Sequence, residues 1–119
     1  MNNKEKGKIG EDLAAEFLKK SGIKILKRNW HYSRFGEIDI IALDKNILTF
    51  IEVKTRTTEN FGHPIEAINE RKIGQIRSTA QAYINENPDL KPQGYRFDAI
   101  SVILSKEPKI TYHKNIYQT

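Results

Sequence analysis

The stretch from Glu37 to Lys54 constrains the fold more than any other part of the chain. Two apolar-rich runs, Glu37 to Leu43 and Ile47 to Lys54, flank the turn-forming trio Asp44-Lys45-Asn46. Such a pattern reads as a β-hairpin. Side chains alternate along a strand, so Glu37, Asp39 and Ile41 are expected on one face. On the second strand Leu48, Phe50, Glu52 and Lys54 are expected on one face, with Thr49, Ile51 and Val53 on the other. A loop with an even number of residues sets Asp39 opposite Glu52, both side chains on the same side of the sheet. An odd loop slips the register by one and parts them.

The even register has a chemical consequence. Glu37, Asp39 and Glu52 then crowd one face, and two carboxylates ~4 Å apart repel by roughly 4 kcal/mol at an effective dielectric near 20. Such a cluster needs a counter-charge, a shifted protonation state or a bound cation. Mg²⁺ suits it, because hard cations take oxygen ligands and retain several waters. Lys54 shares the face of Glu52 and supplies a point charge there, suited to orienting a water or to stabilising charge on a phosphate. The bland alternative is a solvated hairpin whose acids are balanced by Lys54 or Arg56.

The rest of the chain supplies layers for this hairpin. Lys4 to Ser21 carries Ile9, Leu13, Ala14, Phe17 and Leu18 at helical spacing and ends before Gly22. On a helical wheel Glu11 lies about 20° from Leu18, at the border of the apolar stripe. Ile23 to Trp30 reads as a strand, His31 to Phe35 as a basic and aromatic connection, and Thr55 to Pro64 as a loop. Asn69 is placed to cap a second helix reaching about Asn87, with Ile73, Ile76, Ala80, Tyr83 and Ile84 on its apolar side. Pro88 and Pro92-Gln93-Gly94 end it. Tyr95 to Leu104 reads as a strand and Ile110 to Tyr117 as a final edge strand. The expected result is one domain over 1–119, of the α/β class, with helices on a mixed sheet.

Several motifs carry a resemblance. Gly36-Glu37-Ile38-Asp39-Ile40-Ile41 followed by Phe50-Ile51-Glu52-Val53-Lys54-Thr55-Arg56 resembles the metal-binding core of the PD-(D/E)XK nuclease superfamily. More closely, the chain resembles the small bacterial endonuclease-like YraN family. That likeness runs from Gly7-Lys8-Ile9-Gly10-Glu11 through Arg28-Asn29 and the hairpin. It continues through Phe61-Gly62, Pro64, Lys72 and Ala80 to Arg96-Phe97-Asp98. The resemblance implies a restriction-endonuclease-like αβββαβ core, similar to that of archaeal Holliday-junction resolvases. It implies Asp39 and Glu52 as metal ligands with the Val53 carbonyl as a third, Lys54 as the catalytic lysine, and Glu11 as a helix carboxylate approaching the metal through water. The ion implied is Mg²⁺, with Mn²⁺ as a substitute. The proline of the superfamily motif is absent, Ile38 standing before Asp39. Glu11 also has a simpler role as a first-turn acid compensating the helix dipole.

Charge placement points to a polyanion. Residues 1–35 hold nine Lys/Arg against four Asp/Glu, while residues 36–119 hold eleven of each. The excess precedes the hairpin, at Lys24, Lys27, Arg28 and Arg34, a distribution expected for a nucleic-acid partner. A lysine-rich surface without that purpose accounts for it equally. Arg28, Arg34, Arg56 and Lys72 are the candidate nucleic-acid contacts. Arg56 is alternatively an ion-pair partner of Glu59 or Glu66. Lys72, in the first turn of the second helix, opposes the helix dipole there. Trp30, His31 and Tyr32 are suited to stacking on bases or ribose, Trp30 also to the core. His63 and His113 have no metal-ligand spacing, and Asp98 reads as an ion-pair partner of Arg96 or Lys72.

No cysteine is present, so disulfides and thiol catalysis are excluded, and a reducing cytoplasm fits. The polar start Met1-Asn2-Asn3-Lys4 has no apolar segment of secretory type, and no apolar run approaches a membrane span. Two function classes emerge. One is a metal-dependent endonuclease acting on DNA in preference to RNA, branched or structured DNA included. The alternative is a nucleic-acid-binding accessory protein that keeps the nuclease fold without cutting. Assembly through the last edge strand is a third reading that leaves the carboxylate cluster unexplained. A homodimer would suit a branched substrate, by analogy to resolvases.

Overall fold

The computed structural model describes residues 1–34, 36–58 and 70–117. Its elements run α1 (Asn3–Lys20), β1 (Lys24–Tyr32), β2 (Gly36–Asp44), β3 (Ile47–Arg56), α2 (Glu70–Glu86), β4 (Gly94–Ile103) and β5 (Lys109–His113). The order is αβββαβ with one further strand, as expected. The helix cap expected at Asn69, the motif residues Phe61, Gly62 and Pro64, and also Glu59, His63 and Glu66 lie outside the described residues.

The five strands form one sheet in chain order. The first three are antiparallel neighbours, β4 lies parallel to β3, and β5 returns antiparallel to β4. The single parallel pair is the one bridged by α2, because parallel neighbours need a crossover. The β2–β3 turn leaves only Lys45 and Asn46 between Asp44 and Ile47, which pair. The loop is therefore even, and Lys45 takes a φ of 58° to close it.

Each face of the sheet buries a helix. On one side Ala14, Ala15 and Leu18 of α1 pack with Ile40, Ala42, Ile51, Ile100 and Val102. On the other Ala80 and Tyr83 of α2 pack with Ile38, Ile41, Leu48 and Phe50. The α1 helix is capped at both ends. Asn2 accepts from the Glu5 amide at 2.8 Å, and the Ile23 amide returns to the Leu18 carbonyl at 2.9 Å. Gly22 at φ 82° makes that return turn.

Four expectations about elements need correcting. Ile9 is 38% exposed, so Gly10, Ala15 and the remaining apolar positions make the buried stripe of α1. His31 and Tyr32 belong to β1 instead of a connection, because they pair with Glu37 and Gly36. Thr55 and Arg56 extend β3, held by pairing with Val102 and Ile103. The last strand stops at His113, and beyond it the Ile116 amide donates to the Phe97 carbonyl at 2.8 Å.

Candidate active site

The site forms where β2 leaves β3. Their paired residues end at Ile40 and Ile51, one step before Asp39 and Glu52. The simple alternation expected of β2 fails here. Ile38 and Ile41 both join the α2 side while Ile40 joins the α1 side, so the facing shifts by one residue at Asp39. On β1 the residue between the pairs Arg28–Ile40 and Trp30–Ile38 is Asn29, whose φ is 51°. Asparagine tolerates this left-handed conformation better than most residues. The sequence offered Asn29 only as part of a family likeness; its backbone geometry gives it a reason.

The Asp39 carboxylate occupies the space opened by the departing strand. Its Oδ2 accepts from the Val53 amide at 2.8 Å. In a strand the N–H and C=O of one residue address the same neighbour, so the Val53 carbonyl also faces the gap beside Asp39. Burial pushes the Asp39 carboxyl up to about 6. The Val53 amide opposes that shift, while the Glu52, Glu11 and Glu37 carboxylates add to it. Four acids from three elements thus share one electrostatic neighbourhood.

Glu52 points to the same side as Phe50 and lines, with Asp39, a pocket of about 220 Å³. Its Oε1 is 3.0 Å from Lys54 Nζ and 3.3 Å from Lys72 Nζ. Its Oε2 is buried and has no hydrogen-bond partner among the described residues. Leaving a buried carboxylate oxygen unmatched costs roughly 1–3 kcal/mol or more. Lys72, Gln75, Phe97 and Tyr117 complete much of the pocket wall.

The remaining acids are turned to basic partners. Glu11 Oε1 accepts from Arg28 Nε at 3.0 Å and from Asn29 Nδ2 at 2.9 Å. Arg28 also reaches Asp12 at 2.7 Å. Glu11 can stand this close to the hairpin because Gly10 has no side chain. A Cβ at Gly10 would lie 1.9 Å from Thr55 Oγ1. Glu37 lines the pocket, but its carboxylate is 3.8 Å from His31 Nε2 and largely exposed. Among the described residues no three His, Asp or Glu side chains gather closely enough to hold an ion by themselves. The expected crowd of three on the hairpin is therefore a pair, Asp39 and Glu52, with Glu11 and Glu37 outside it.

The candidate basic contacts divide in the same way. Lys72 stands at Glu52, and Arg34 lines the pocket with His31. Arg28 is turned to α1 through Glu11 and Asp12, and Arg56 sits half-buried at the end of β3. Trp30 packs edge-on against Tyr83 at 5.3 Å, and Tyr32 stacks on Trp30 at 6.2 Å with its own ring half exposed. Asp98 is fully buried and pairs with Arg96 at 3.0 Å, one of its two expected partners.

Comparison with known proteins agrees with the nearer of the two resemblances. Residues 10–102 match the profile of the family described as "Uncharacterised protein family UPF0102". The chain belongs to the UPF0102 family. UPF0102 proteins of Dictyoglomus turgidum and Dictyoglomus thermophilum are 46% and 49% identical to it, over 92% of each chain. The UPF0102 protein of Caldanaerobacter subterraneus subsp. tengcongensis is 46% identical over 96% of this chain and 91% of its own. The YraN likeness read from the sequence is this same family. Within the UPF0102 match fall all the hairpin residues, Glu11, Arg28, Asn29 and Lys72. No helix among the described residues is long and apolar enough to cross a membrane.

Proposed function

We propose that this UPF0102 chain is a metal-dependent phosphodiesterase of nuclease type, acting on nucleic acid and on DNA in preference to RNA. The observation that carries the reading is the buried, unpartnered Oε2 of Glu52 beside an Asp39 carboxyl raised to about 6. One acid is raised by burial and neighbouring carboxylates, and the other keeps one oxygen unmatched although lysines hold its partner oxygen. The donor set fits a hard divalent ion such as Mg²⁺ or Mn²⁺: two carboxylates, with the Val53 carbonyl facing the same gap. The resemblance of Asp39…Glu52-Val53-Lys54 in sequence to the PD-(D/E)XK core supports the same assignment.

Asp39, Glu52 and the Val53 carbonyl would hold the ion. When bound, it would supply charge neutralisation at a phosphate and lower the proton affinity of water. The protein's own groups do the rest. Lys54, fixed against Glu52 Oε1 at 3.0 Å, presents a cation whose remaining N–H groups can orient a water or meet a phosphate oxygen. Lys72 approaches the same oxygen from α2 and places a second positive charge on the pocket wall. Glu11, clamped by Arg28 and Asn29, keeps negative potential next to Asp39 without entering the pair. Hydrolysis joins a water oxygen to phosphorus, breaks the bond to the leaving sugar oxygen, and delivers the water protons to that oxygen and to solvent.

The experiment is cleavage of end-labelled linear, single-stranded, flapped and four-way-junction DNA with Mg²⁺, Mn²⁺ or EDTA. Metal-dependent cutting that is lost in Glu52→Gln and Lys54→Ala supports the enzyme. A second reading, the accessory binder that does not cut, draws on the ion pairs that Lys54 and Lys72 already make with Glu52 Oε1. Salt-sensitive retention of DNA without cutting in either metal would select it.

A further inference from the structure

Two buried side-chain atoms among the described residues have no hydrogen-bond partner. One is Glu52 Oε2 and the other is the Tyr117 hydroxyl. Both residues line the same pocket. A single unmatched polar group is a local defect, but two in one cavity indicate a ligand that satisfies both. Glu52 Oε2 lacks a donor or cation of its own, both lysines being spent on Oε1, while the phenol lacks an acceptor. A metal-bound phosphate has both complements.

The Tyr117 hydroxyl is held in place by a chain of contacts that starts in the core. Asp98, 1% exposed, receives Arg96 Nε and the Tyr112 hydroxyl, and its Oδ1 accepts from the Asn115 amide at 2.7 Å. Asn115 turns the chain at φ 59°, after which Ile116 bonds the Phe97 carbonyl. The Tyr117 ring then rests on Phe97 at 5.7 Å, and Phe97 stacks on Phe50 at 5.5 Å. Asp98 thereby acquires a purpose the sequence did not give it. It fastens the segment that brings Tyr117 over the pocket.

We infer that Tyr117 is a substrate-contacting residue whose hydroxyl donates to a non-bridging phosphate oxygen of a nucleic-acid strand lying against Glu52. This rests on the metal-dependent reading of the site given above. Burial and then the Glu52 carboxylate push the phenol up to about 12, so it remains a donor throughout the working pH range. The aromatic run Phe50–Phe97–Tyr117 gives the hydroxyl a rigid mount, so little ordering is required when the strand arrives.

The test compares wild type with Tyr117→Phe, binding a fluorescein-labelled single-stranded oligothymidylate in Ca²⁺ and followed by anisotropy. Tyr117→Phe keeps the ring and removes only an unmatched hydroxyl. The ligand-free variant should melt at or above the wild-type temperature, and its stabilisation by Ca²⁺ should be unchanged. Its affinity for the oligonucleotide should fall about tenfold or more, the scale of a hydrogen bond to a charged group. Equal affinity overturns the assignment of Tyr117, and leaves the nuclease reading standing if wild type cuts DNA with Mg²⁺. A lowered melting temperature in the ligand-free variant overturns it in favour of a structural role. Wild type that fails to bind the oligonucleotide overturns it as well. If DNA is bound tenfold more weakly by the variant yet wild type never cuts, the Tyr117 contact holds and the catalytic reading fails.

Discussion

Replacing Asp39 by asparagine should make the metal-free protein more stable at neutral pH. The Asp39 carboxyl is raised from 3.8 to about 6 by burial and by neighbouring acids. At ~1.36 kcal/mol per pKa unit, holding it ionised costs the folded state about 3 kcal/mol. The asparagine side chain has nearly the same shape and its carbonyl still accepts from the Val53 amide, whose bond to the ionised carboxylate is already part of that shift. The gain is therefore about 3 kcal/mol, or roughly 10 °C in melting temperature for a domain of this size. The sign with pH follows from the same numbers. The folded chain binds the extra proton between about pH 4 and 6, so wild type loses stability as pH rises through that window. The Asp39→Asn variant lacks this loss, and the difference between the two should vanish near pH 4 and be full by about pH 7–8. Urea denaturation of both proteins in EDTA, at steps from pH 4 to 8, measures it. At pH 8, millimolar Mg²⁺ should raise the melting temperature of wild type and leave the variant unmoved. An Asp39→Asn protein that is less stable than wild type by the same amount at every pH would refute the reasoning.

Three further perturbations follow from the geometry. Lys54→Ala should lower DNA cleavage by about 10²-fold or more in single-turnover assays while shifting stability by less than ~1 kcal/mol, since the Lys54–Glu52 pair is only partly buried. Gly10→Ala drives a methyl into Thr55 and should cost about 1–3 kcal/mol by chemical denaturation, part of it recovered by adding Thr55→Ala; no loss would mean that α1 does not lie against β3 as described. Arg96→Ala removes the partner of the buried Asp98 side chain and should cost about 3–5 kcal/mol, whereas a thermal scan unchanged from wild type would show that the Arg96–Asp98 pair does not hold this end of the sheet.

Much of this architecture was legible because the hairpin is nearly self-specifying. A two-residue loop with apolar flanks fixes register locally, so the approach of Asp39 to Glu52 and of Lys54 to Glu52 could be read from residue order. The helices were legible for the same reason, through local periodicity. What escaped depends on contacts distant in sequence. Nothing near Asn29 announces its left-handed backbone, because a positive φ leaves no mark on the pattern of apolar residues. The change of facing across Asp39, with Ile38 on the α2 side and Ile40 on the α1 side, leaves none either. Arg28 reads from sequence as a phosphate contact because its partners, Glu11 and Asp12, lie on α1, 17 and 16 residues away. By its sequence pattern alone Tyr117 ends an edge strand. Its place in the pocket depends on Asp98 reaching the Asn115 amide across a turn, which no periodicity encodes.

Manganese binding, followed by the free-ion EPR signal as wild type, Asp39→Asn and Glu52→Gln are each titrated, puts the paired carboxylates to the most direct test. Wild type should take up the ion saturably, either variant at least tenfold more weakly, with Mg²⁺ competing for the same site. Identical uptake by all three proteins, or none by wild type at neutral pH, would contradict this.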